Sequence, residues 1–123
     1  MIGMENFSVF EYLYRDADNY KAWGFLRLTG QVTSADVDTL RKCLEGSEFF
    51  IAEQVGIPPV YAELWGASGR STDADHVWHE FFELRPAAAG DTQEEPWGSV
   101  AELMSRFASV KLWDERLSPN WNV

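Results

Sequence analysis

Residues 75–84 read DHVWHEFFEL, and whether this stretch is helix or strand decides both the fold and the chemistry open to it. A helix would place His76, His79, Glu80 and Glu83 on one face, with Val77, Trp78, Phe81 and Phe82 opposite. Two imidazoles and a carboxylate so spaced could ligate Zn²⁺ or another divalent cation, making the chain a metal-binding protein or a small hydrolase. A strand alternates its side chains, so His76 and His79 would face opposite ways. His76 and Glu80 would then share a side but lie roughly 13 Å apart, at about 3.3 Å per residue, beyond the reach of one ion. Valine, tryptophan and two phenylalanines favour a pleated surface. The spacing is neither the HExxH of zincins nor a Cys/His finger, and no cysteine lies nearby. The strand reading is preferred, with both histidines as half-buried or interfacial groups bonded locally. The set His76, His79 and Glu80 stands as the metal-site alternative.

The flanking sequence supplies further strands for such a segment to join. FSVFEYLY (7–14) and AWGFLRLT (22–29) are aromatic and β-rich, and RDADNYK between them has the Asp and Asn content of a turn. Asp16 and Asp18 read there as turn residues rather than as an acid–base pair. Next comes a helical pattern: Thr33 or Ser34 as cap, Asp36 in the first turn, Val37, Leu40 and Leu44 at helical spacing, and Arg41, Lys42 and Gly46 at the stop. EFFIAEQVG and PVYAELWG read as two more strands about Pro58-Pro59, and AAAGDTQEEPW (87–97) as a surface crossing. In SVAELMSRF, Ser99 caps a helix with Val100, Leu103, Met104 and Phe107 on one face. The expected fold is α+β. Strands 5–14, 22–30, 48–55, 59–66 and 76–85 form an antiparallel sheet of four to five strands, with helices 34–45 and 99–110 packed on one face.

A chain of 123 residues is one domain, 1–123, and folding to that size removes roughly two-thirds of the unfolded surface from water. The single thiol, Cys43, excludes an internal disulfide framework and favours a reducing compartment. Glu5, Glu11 and Arg15 interrupt the apolar character of the N-terminus, so no signal peptide is read. No run approaches 18 apolar residues, so no membrane contact is expected and the cytoplasm is the expected location.

The net charge of −10 is unevenly placed: residues 43–102 hold twelve acids against only Arg70 and Arg85. Such a field repels phosphates, which argues against direct nucleic-acid binding, and attracts basic surfaces. Enzymatic signatures are sparse. Ser68 and Ser71 lie in no GxSxG elbow, Cys43 falls near an apolar helix stripe, and neither GxxxxGK[ST] nor GxGxxG occurs, so no catalytic residue and no cofactor is assigned.

YRDADNYKAWG (14–24) and DHVWHEF (75–81) resemble stretches of a group of small acidic bacterial proteins that has no assigned activity. The resemblance runs through residues 7–84 and implies a bacterial cytosolic protein, with no activity, cofactor or site residue attached.

The expected function is a non-catalytic protein-interaction module whose acidic face meets a basic protein surface. One concrete form is an inhibitor or immunity-type protein that mimics nucleic acid before a nucleic-acid-binding partner, since carboxylates can stand in for phosphates. Asp73, Asp75, Glu83, Asp91, Glu94 and Glu95 are the expected contacts, with Trp97 as a partly exposed aromatic anchor.

Overall fold

Strand β1 (Phe7–Arg15) is buried on both faces and carries the rest of the architecture. It pairs antiparallel with β2 (Lys21–Thr29) in unbroken register from Phe7↔Thr29 to Arg15↔Lys21, as the hairpin pattern requires. On its other side it pairs antiparallel with β4 (His79–Pro86), so the 75–84 stretch is strand from His79 onward. The two outer strands have two residues each: β3 (Phe49–Phe50) against β4, and β5 (Gly98–Ser99) against β2. The order is β3-β4-β1-β2-β5. This computed structural model describes residues 6–15, 20–61, 78–88, 90–91 and 95–114.

The sheet is mixed rather than purely antiparallel, because β5 runs parallel to β2. The crossing before β5 is fastened to the sheet at both ends: the Ala87 N–H donates to Phe7 and the Trp97 N–H to Arg27. Strand 48–55 is cut to two residues. After Phe50, a 3₁₀ turn (Ala52–Val55) ends on Gly56 in the left-handed region, with φ 73°, which steers the chain off the sheet. The expected strand 59–66 is absent over 59–61, and 62–66 lie outside the described residues.

Helix α1 (Ser34–Cys43) opens with a reciprocal capping box between Thr33 and Asp36. Helix α2 (Val100–Ala108) is capped by Ser99, whose hydroxyl accepts from the Glu102 N–H at 2.9 Å. Leu40 and Leu44 from the first helix region and Val100, Leu103 and Phe107 from the second meet the inner sheet residues Phe10, Tyr12, Leu26, Leu28, Phe81 and Leu84 in one core. Both helices therefore pack on the same face of the sheet. Among the described residues, no helix is long and apolar enough to cross a membrane.

Candidate functional site

Alternation along β4 separates the residues that a metal site would have to unite. His79 points inward and is fully buried, whereas Glu80 faces the outer side and is held by Arg15 at 3.0 Å. The helical spacing behind the metal alternative is thus absent from His79 onward, and His76 lies outside the described residues. Among the described residues, no three His, Cys, Asp or Glu side chains form a metal-binding group.

His79 has a structural task. Its Nε2 accepts the Val60 N–H at 3.1 Å, which requires that nitrogen to be unprotonated. The imidazole is packed among Tyr12, Tyr14, Phe50 and Tyr61, with ring centroids 5.4–6.0 Å away. The Tyr12 hydroxyl donates to the Pro58 carbonyl at 2.6 Å, and the Tyr61 hydroxyl to Glu53 at 2.5 Å. Side chains of the sheet and the 3₁₀ turn therefore hold 58–61 in place where a strand ladder was expected. Gly24, paired with Tyr12, leaves room for that ring: a Cβ at Gly24 would come within 2.7 Å of its edge carbons.

The outer face is built differently. Lys21, Trp23, Phe25 and Arg27 alternate outward along β2, flanking Val9, Glu11, Leu13 and Arg15 of β1. Between Glu11 and Tyr12 the β1–β4 register slips by one residue, leaving Phe82 as an extra position in β4. Phe82 is 52% exposed and meets Trp23 edge-to-face, with ring centroids 5.1 Å apart. Trp23 and Phe25 are 40% and 51% exposed, while Val9 and Leu13 lie buried between the side chains around them.

Arg85 organises the charge on this face. It bonds Glu11 through Nε at 2.7 Å, meets Glu83 at 3.3 Å, and forms a fork with Asp91 through two contacts of 2.8 Å. The Arg85 hydrogen bonds, helped by the Ala88 N–H, lower the Asp91 carboxyl to a pKa of about 2, and the same partner raises that of Arg85.

The expected contact residues thus divide. Glu83 and Asp91 are engaged by Arg85, Glu95 is exposed, and Asp73, Asp75 and Glu94 lie outside the described residues. Trp97 is half-buried: it leans on the core, donates its indole N–H to Gly56 at 3.1 Å, and lies under the Arg106 guanidinium. The sequence missed Trp23, Phe25 and Phe82 as surface features. Alternation could have flagged the first two, but only the register slip distinguishes Phe82.

An open groove of about 710 Å³ runs between the two helices beside the end of β2, lined among others by Asp36, Thr39, Ser99 and Ser105. Asp36 and Ser99 are already committed to helix caps. Comparison with protein-family models, with curated proteins and with solved structures returns no match.

Proposed function

We propose that this chain is a non-catalytic interaction module whose acidic surface meets a basic surface on another protein. The supporting observation is the distribution of charge. Among the described residues on and beside the outer sheet face, four bases (Arg15, Lys21, Arg27, Arg85) balance four acids (Glu11, Glu80, Glu83, Asp91). The net charge of −10 therefore falls on the remainder of the chain. Surplus of one sign speeds encounter with an oppositely charged partner and loses force as salt rises.

The exposed acids outside that face include Glu45 and Glu48, in the turn before β3, and Glu95, ahead of β5. These groups adjoin opposite edges of the sheet, so one small basic patch cannot engage both. An inhibitor or immunity-type mimic of nucleic acid would need its carboxylates in a row along one of them. Glu83 and Asp91, already facing Arg85, add little to such a row.

The test is capture of partners from a host lysate by the native chain, by Glu45→Lys/Glu48→Lys and by Glu95→Lys, at about 50 and 500 mM salt. The proposal expects a partner retained at low salt, released at high salt, and lost with one of the two variants. Capture that is indifferent to salt and to both variants overturns it.

A further inference from the structure

We draw no further inference here: the strongest candidate, the surface patch of exposed aromatics Trp23, Phe25 and Phe82 on the outer face of β4-β1-β2, carries none, because nothing in the structure shows what covers it.

Discussion

The two faces of β1 are both buried, and they are buried by different means. On the inner face, Phe10, Tyr12 and Tyr14 are covered by helices and by the 56–61 segment, with polar atoms satisfied by single directed bonds such as Tyr12 to Pro58. On the outer face, among the described residues, Val9 and Leu13 are covered by neighbouring side chains of the sheet, and ion pairs gather around Arg15 and Arg85. One alternating strand thus supports a jigsaw on one side and an adaptable surface on the other. The inner face should be intolerant of small changes in shape, and the outer face tolerant of shape but sensitive to charge and to solution conditions.

Gly24→Ala tests the inner face most severely. The added methyl must displace the Tyr12 ring and with it the bond to Pro58, so a loss of about 3 kcal/mol is expected in urea unfolding. A loss under about 0.5 kcal/mol would mean that the inner face adapts as readily as the outer. His79→Leu comes next. It keeps an apolar side chain of similar size but removes the acceptor for the Val60 N–H, with an expected cost of about 2 kcal/mol. If His79→Leu matches or exceeds the native urea midpoint, the bond to Val60 contributes nothing and packing alone holds 58–61.

Arg85→Met carries the comparison to the outer face. It leaves Glu11 and Asp91, whose side chains are 12% and 15% exposed, without their shared cation, and about 1–2 kcal/mol should be lost near neutral pH. The pH dependence has a definite sign. The Asp91 pKa is lowered in the folded chain, so its contribution is present above the ordinary carboxylate value near 4 and disappears as pH falls towards about 2. Urea midpoints of native and Arg85→Met proteins should therefore converge between about pH 4 and pH 2. A gap that persists unchanged to pH 2 would break the assignment. The smallest effect is expected for Phe82→Ser: at 52% exposure it should move stability in urea by no more than about 0.5 kcal/mol. A larger loss would show that the outer aromatics hold the fold itself.

Legibility followed the same division between local and distant causes. The β1–β2 hairpin, both helices and the strand at β4 were readable because alternation, capping and helical spacing are local signals carried by adjacent residues. The stretch around EFFIAEQVG was not. Phe50, Ile51 and Ala52 are consecutively buried, and an unbroken apolar run does not separate a strand from a turn in the core. The parallel two-residue β5 was equally hidden, because its pairing depends on β2, some 70 residues earlier. The acidic excess was plain from composition, but the capture of Glu83 and Asp91 by Arg85 was not, since it follows from β4 geometry and the return of the 88–91 turn.

By itself, the sequence determined an acidic α+β chain with an aromatic hairpin and two capped helices, and it favoured, without deciding, a strand over a metal-binding helix at 75–84. Those outcomes rest on residue type and period, which act over a few positions. Tertiary structure alone decided which acids are neutralised, that His79 anchors Val60, and that Trp23 of β2 meets Phe82 of β4 across β1. Each of these depends on register between strands far apart in the chain, and a single-residue slip such as the one before Tyr12 changes which side chains meet.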